Sequence, residues 1–120
     1  MLDTIYFNGG CIRGIGYIGF LHYFEKNDLI KDIKIMRGTS MGGLILAFYL
    51  IGYSPISMVK KLLEIDLKEV VDMEFSKILS RSSVLEGKGI KNILKKFMKC
   101  KKCKNITFLQ LYKKTNIHFT

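Results

Sequence analysis

Apolar residues occur in short runs separated by glycine, asparagine and lysine, and this spacing predicts alternating strands and helices. The run 4–7 predicts a short buried strand, and the run 33–36 predicts a second one. Between them, residues 15–26 are apolar on nearly every side, as in a helix packed under a sheet. A strand–helix–strand unit of this length predicts a right-handed crossover between parallel strands. The first part of the chain is therefore expected to have an α/β fold.

The first predicted helix contains Gly16, Gly19 and His22. Glycine weakens an isolated helix, but it also lets the helix backbone approach a neighbour closely. We therefore expect both glycines to face a close packing partner. A lone histidine on a mostly apolar helix is more often structural than a catalytic base, and we interpret His22 as structural.

Start and stop signals divide the following residues into helices. The run 41–51 is followed by Gly52, a common residue after a helix end. Ser54 and Pro55 have the residue types of an N-cap and a first helical position, so they predict a helix over 55–64. The side chains that this helix is expected to bury are Ile56, Val59, Leu62 and Leu63.

Two more helices are predicted towards the end of the chain. Residues 88–99 place apolar residues on one face and lysines on the other. Such a helix either lies on an anionic bilayer or faces the core with a solvated back, and the second arrangement is more common. Thr107 and Gln110 have capping-box spacing, which predicts a short helix that ends near Lys114.

The sequence Gly38-Thr39-Ser40-Met41-Gly42 reads G-x-S-x-G and lies between two apolar runs. A strand, a sharp turn and a helix in this order form the context of a nucleophile elbow. The Ser40 hydroxyl would project beside the helix amino terminus, where free N–H groups stabilise negative charge. Gly38 and Gly42 would keep the strand and helix from colliding. The alternative is a glycine-rich turn with a solvated serine, because five-residue patterns also occur by chance.

A second glycine-rich stretch, Gly9-Gly10-Cys11-Ile12-Arg13-Gly14, follows the first predicted strand. Its backbone N–H groups could cradle a phosphate or form an oxyanion hole for acyl transfer. The dinucleotide-binding pattern fails because Cys11 stands at its second glycine position. The P-loop pattern fails because Ile15, rather than lysine, follows Gly14. Acyl transfer therefore fits the two motifs better than nucleotide binding.

The loop GGCIRG and the elbow GTSMGG together resemble the patatin-like phospholipase family, and the flanking sequences IRGIGYIGFLHYFEK and ITFLQLYKKTN resemble its neighbouring segments. The resemblance implies a three-layer α/β/α sandwich that hydrolyses acyl esters in lipid or phospholipid substrates with a Ser–Asp dyad. It makes Ser40 the nucleophile and residues 9–12 the oxyanion loop, with Arg13 helping to hold that loop.

The sequence departs from the family pattern at two points. Cys11 replaces the third glycine of the loop, which would be strained if that position required a positive φ. The family's aspartate lies in a D-G-G or D-G-A motif, and no aspartate here precedes a glycine. These aspartates are Asp3, Asp28, Asp32, Asp66 and Asp72. We therefore interpret residues 1–120 as one incomplete patatin-like domain, a partial three-layer sandwich, that has little or no turnover alone. The alternative is a non-catalytic fragment or pseudoenzyme that binds anionic lipid or a partner protein.

A formal net charge of +10 over 120 residues favours anionic partners. A phospholipid surface, nucleic acid and an acidic protein all qualify, and solvated lysines with no partner are an equal alternative. The sequence has no RRM-type alternation of basic and aromatic residues and no helix-turn-helix pattern, which argues against nucleic acid. Peripheral contact with an anionic membrane remains open.

The three cysteines, an odd number, favour reduced thiols and a cytoplasmic location. Cys100 and Cys103 form a C-x-x-C pair, but the other candidate ligands, Cys11, His22 and His118, are not suitably spaced for zinc. We therefore predict no metal and no cofactor. No signal peptide is predicted, and the longest apolar run, 44–51, is too short to span a membrane.

Overall fold

A computed structural model describes residues 2–64, 94–99, 101–102 and 105–120. Two short 3-10 helices, Cys11–Ile15 and Ile30–Asp32, accompany the main elements, and residues 94–99 are helical. The main elements are β1 (Thr4–Phe7), α1 (Gly16–Lys26), β2 (Ile35–Gly38), α2 (Met41–Leu50), α3 (Pro55–Leu63), α4 (Phe108–Thr115) and β3 (His118–Phe119).

The three strands form one parallel sheet in the order β1-β2-β3. Phe7 is paired with Gly38, so β1 and β2 end at the same edge of the sheet. Met36 is paired with Phe119 of β3. The predicted parallel pairing is confirmed, although β2 begins two residues later than the sequence pattern indicates. The Ile35 N–H, at the start of β2, donates to the Asp3 carbonyl at 3.0 Å. This hydrogen bond marks where β2 begins to pair with β1.

One face of the sheet carries the core. Ile5, Phe7 and Met36 are buried there together with residues of α1 and α2. The alternate strand positions Tyr6 and Arg37 are exposed. The predicted buried strand over 4–7 is therefore buried only at alternate positions, on the face that carries Ile5 and Phe7. These residues supply the sheet and one helical layer of a partial α/β/α fold.

Helix α1 is amphipathic rather than apolar all round. Its buried stripe is Ile18, Leu21 and Phe24, whereas Phe20 and Tyr23 on other sides are exposed. The Tyr49 hydroxyl donates a 2.9 Å hydrogen bond to the Glu25 carboxylate and ties α2 to α1. Burial, followed by this hydrogen bond and the carboxylate charge, raises the pKa of Tyr49 above its ordinary value.

Gly16 and Gly19 have no close packing partner among residues 2–64, 94–99, 101–102 and 105–120, contrary to that prediction. A methyl group at either position would have no atom of the described residues within 4 Å. Both glycines lie on the side of α1 opposite its buried stripe, where solvent rather than a neighbouring backbone meets the helix.

Replacing Gly19 with alanine is therefore expected to stabilise the chain. Alanine loses less backbone entropy than glycine when a helix forms, which is worth about 0.5–1 kcal/mol at an unhindered interior position. Urea denaturation followed by circular dichroism should show a higher midpoint for Gly19→Ala. A lower midpoint would mean that the glycine meets a partner after all.

Helix α2 ends at Leu50, one residue before the predicted end, and Gly52 follows with a φ of 110°. The predicted start of α3 is confirmed, because the Ser57 N–H donates to the Ser54 hydroxyl oxygen at 3.2 Å and Pro55 is the first helical residue.

The predicted burial of α3 is wrong at three positions. Ile56, Val59 and Leu63 are 58%, 42% and 80% exposed, whereas Pro55 and Met58 are buried. The helix meets the core along a narrow stripe that begins with these two residues and includes the partly buried Leu62.

The predicted capping box of the last helix, formed by Thr107 and Gln110, is confirmed. The Gln110 N–H donates to the Thr107 hydroxyl oxygen at 3.2 Å, and the Thr107 N–H donates to the Gln110 side-chain oxygen at 2.9 Å. Helix α4 ends at Thr115, one residue beyond the predicted end.

Of the predicted helix over 88–99, residues 94–99 are helical and 88–93 lie outside the described residues. Phe97 is buried, and Lys95, Lys96 and Lys99 are exposed, which confirms a core face with a solvated back over this stretch.

Candidate active site

Ser40 lies on the sharp turn between β2 and α2. Strand β2 ends at Gly38 and α2 begins at Met41, so Thr39 and Ser40 alone form the connection. Ser40 has φ 53° and ψ −126°, a conformation that side-chain-bearing residues rarely adopt. Its side chain is exposed, and its hydroxyl makes no hydrogen bond within the described part of the chain. The turn therefore holds a free hydroxyl at the amino terminus of α2.

The glycines on either side of Ser40 allow strand and helix backbones to touch. A methyl group at Gly38 would lie 2.5 Å from the Gly43 Cα. One at Gly42 would lie 2.7 Å from the Asn8 carbonyl oxygen and closer still to that of Phe7. Any larger residue would push α2 away from β1 and β2, so Gly38 and Gly42 occupy positions that require glycine.

The glycine loop continues into the 3-10 helix Cys11–Ile15. The first hydrogen bond of this helix runs from the Arg13 N–H to the Gly10 carbonyl, at 3.0 Å. The N–H groups of Cys11 and Ile12 precede it and have no acceptor within the helix. Cys11 is not among the described residues with positive φ, so its replacement of the family's third glycine imposes no left-handed backbone strain.

The structure brings the glycine loop and the serine turn together. A methyl group at Gly9 would lie 3.4 Å from the Ser40 Cβ, which is ordinary van der Waals contact. Gly14 packs so closely on Met41 that its methyl group would lie 2.5 Å from the Met41 Cγ. The Thr39 N–H also donates to the Phe7 carbonyl at 3.0 Å. Both turns therefore lie at the carboxyl edge of the sheet, where open α/β sheets place their sites.

Arg13 and His22, for which the sequence suggested roles, have no hydrogen bond or ion pair with the serine turn among the described residues. Arg13 is exposed, and it forms no ion pair within the described residues. His22 is exposed on α1 rather than buried, and no hydrogen bond within the described residues connects it to the elbow.

The described aspartates lie at the opposite edge of the sheet from Ser40. Asp3 immediately precedes β1, and Asp28 and Asp32 precede β2. Asp66 and Asp72 lie outside the described residues, as do Cys100 and Cys103. Within the described ranges, therefore, no aspartate lies at the edge of the sheet that carries Ser40.

A side-chain hydrogen bond that the sequence pattern does not predict joins β1 to the serine turn. The Tyr6 hydroxyl lies 3.1 Å from the Thr39 hydroxyl oxygen, on the open face of the sheet. The alternation of β1 could have placed Tyr6 opposite the core, but its partner follows only from the register of β1 and β2. Gly43, which contacts Gly38, was also missed, although it extends the glycine pattern visibly in the sequence.

Among residues 2–64, 94–99, 101–102 and 105–120, no group of three or more His, Cys, Asp or Glu side chains could hold a metal ion. In the same part of the chain, no helix is long and apolar enough to cross a membrane.

A parallel sheet with a strained serine turn and a glycine loop at one edge defines an α/β protein with a candidate site at that edge. The family model described as patatin-like phospholipase matches residues 5–113, and the chain belongs to that family of lipid acyl hydrolases. Comparisons with curated proteins and with solved structures find no match.

Proposed function

We propose that this chain is the nucleophile-bearing part of a lipid acyl hydrolase. The Ser40 oxygen attacks an ester carbonyl, and backbone N–H groups of residues 9–12 stabilise the resulting oxyanion. The observation that carries this proposal is the strained, exposed position of Ser40 beside Gly9. Each oxyanion donor is typically worth ~2.7–4 kcal/mol in the transition state.

The proposed reaction needs a base, and the described aspartates do not lie at the edge of the sheet that carries Ser40. The serine proton must pass to an acceptor, and the family uses an aspartate in a D-G-G or D-G-A motif that this sequence lacks. We therefore propose that the 120-residue chain alone has little or no turnover. If the chain hydrolyses a p-nitrophenyl ester and Ser40→Ala abolishes that activity, a base is present in the chain and this part of the proposal is wrong.

A covalent probe tests the nucleophile independently of turnover. In a long-chain alkyl fluorophosphonate, the Ser40 oxygen would form a bond to phosphorus, fluoride would leave, and the proton would pass to the buffer. An oxyanion site alone retains about 10³–10⁴-fold catalysis over water in serine hydrolases that lack a triad member. We therefore expect peptide mass spectrometry to show labelling at Ser40 about tenfold or more faster than at Ser54 or Ser57.

Two variants control the labelling experiment. Ser40→Ala should lose the fast labelling, and Ser57→Ala, at a half-buried serine on α3, should keep it. Equal labelling of Ser40 and Ser57 in the wild-type chain would overturn the assignment of Ser40 as nucleophile.

A second candidate function is non-catalytic binding to an anionic membrane. The observation that favours it is the separation of the described aspartates from Ser40, together with the net charge of +10. We propose peripheral membrane contact in either case, since a hydrolase must also reach lipid. Co-sedimentation with anionic vesicles at low and high salt tests this contact, and Ser40→Ala should leave it unchanged.

A further inference from the structure

The positive charge of the chain is concentrated in its last part. Residues 94–120 contain lysines but no Asp, Glu or Arg, so most of the net charge of +10 comes from there. The single ion pair among the described residues joins Lys61 to Glu64 on α3. The exposed Lys95, Lys99 and Lys113 are therefore not neutralised by the described carboxylates.

The same part of the chain exposes two adjacent apolar side chains. Phe108 and Leu109, in the first turn of α4, are 71% and 63% exposed. Lys113 follows Leu109 by four residues and so lies on the same face of α4, one turn further on. Apolar side chains beside lysines on one helix face are typical of segments that lie in a bilayer interface.

Helix α4 and the helical residues 94–99 line one apolar cavity. Phe108 lines an apolar cavity of about 390 Å³, and Leu94 and Met98 line the same cavity from the other helical segment. Lys95 and Lys99 directly follow these two residues and are exposed. The segment that carries these exposed lysines therefore meets α4 at the cavity lined by Phe108.

We propose that Phe108, Leu109, Lys113, Lys95 and Lys99 form a docking surface for an anionic lipid bilayer. Phe108 and Leu109 insert among the acyl chains near the headgroups, and the lysines contact the acidic headgroups. This inference rests on the membrane contact proposed above and specifies the residues that make it. The occupant is argued from charge complementarity, because the surface combines apolar anchors with cations and none of the described carboxylates pairs with these lysines.

Single-tryptophan variants test insertion directly, since the chain has no tryptophan. Phe108→Trp should shift its fluorescence to shorter wavelength when vesicles of phosphatidylcholine and phosphatidylglycerol are added. Ile56→Trp, at a position 58% exposed on α3, is the matched control and should not shift. Equal spectra for Phe108→Trp with and without anionic vesicles would overturn the insertion of α4.

Charge variants test the cationic part of the docking surface. One lysine near an anionic membrane contributes about fivefold in affinity, so Lys95→Gln/Lys99→Gln should weaken co-sedimentation with anionic vesicles about thirtyfold. Lys31→Gln/Lys34→Gln removes the same charge from exposed positions between α1 and β2 and should have little effect. Equal weakening by both pairs would show that net charge alone drives binding, and the docking surface would be wrong.

The outcomes separate this inference from the functional proposals. If the wild-type chain does not bind anionic vesicles, the proposals of membrane contact and of the docking surface are both wrong. Fluorophosphonate labelling of Ser40 still tests the hydrolase proposal. If it binds but Phe108→Ser/Leu109→Ser binds equally well, only the docking surface falls. A third outcome would also contradict the docking surface. In that outcome the wild type binds nucleic acid but not vesicles, and Phe108→Ser/Leu109→Ser still binds nucleic acid.

Discussion

Gly42→Ala is expected to destabilise the chain by about 3 kcal/mol, at the upper end of the usual cost of overpacking. The added methyl group would lie 2.7 Å from the Asn8 carbonyl oxygen and from the Phe7 Cβ, and even closer to the Phe7 carbonyl oxygen. Two of these three atoms are backbone, so no side-chain rotation can relieve the contact. Helix α2 would have to move away from β1, which would also separate Ser40 from the glycine loop.

Urea denaturation followed by circular dichroism measures this loss. Gly19→Ala is the matched control, because the same substitution at an unhindered position is expected to raise the midpoint. Fluorophosphonate labelling of the folded fraction should also slow in Gly42→Ala, since the contact between Gly9 and Ser40 depends on the same packing. A Gly42→Ala variant as stable as wild type would show that the strand and helix are not held in backbone contact.

The sequence is sufficient to predict the carboxyl edge of this sheet. Strand β1 and the elbow are both marked by local patterns, an apolar run ended by glycine and a G-x-S-x-G turn. Parallel pairing then follows from the length of the crossover, so the meeting of Gly9 and Ser40 can be predicted without coordinates. The cap of α4 is predictable for the same reason, because Thr107 and Gln110 are close in sequence and bond to each other.

Packing across elements is not predictable from these local patterns. Gly19 and Gly42 are the same residue type in helical segments, but Gly42 packs against β1 whereas no described residue packs against Gly19. Ile56 and Leu63 have the apolar character of core residues, and α3 exposes both because the core touches only one narrow stripe of it. Which side of a helix meets the core depends on how the helix is placed, and that placement is a property of the whole fold.

Ser40→Gly is expected to be more stable than Ser40→Ala by about 1–3 kcal/mol, the usual cost of a residue held in a sparsely populated backbone conformation. Ser40 has φ 53° and ψ −126°, which glycine adopts without a Cβ penalty and alanine does not. Both variants lose the hydroxyl, so the difference between them isolates the backbone strain. Lys60, exposed within α3, provides the control position, because there glycine should be less stable than alanine by about 1 kcal/mol. Urea midpoints for the four variants give the two differences, and the same sign at both positions would mean that the Ser40 turn is unstrained. Opposite signs would show that the fold holds Ser40 in a strained backbone conformation beside the glycine loop. A solvated turn residue with no role at the site would not need such strain.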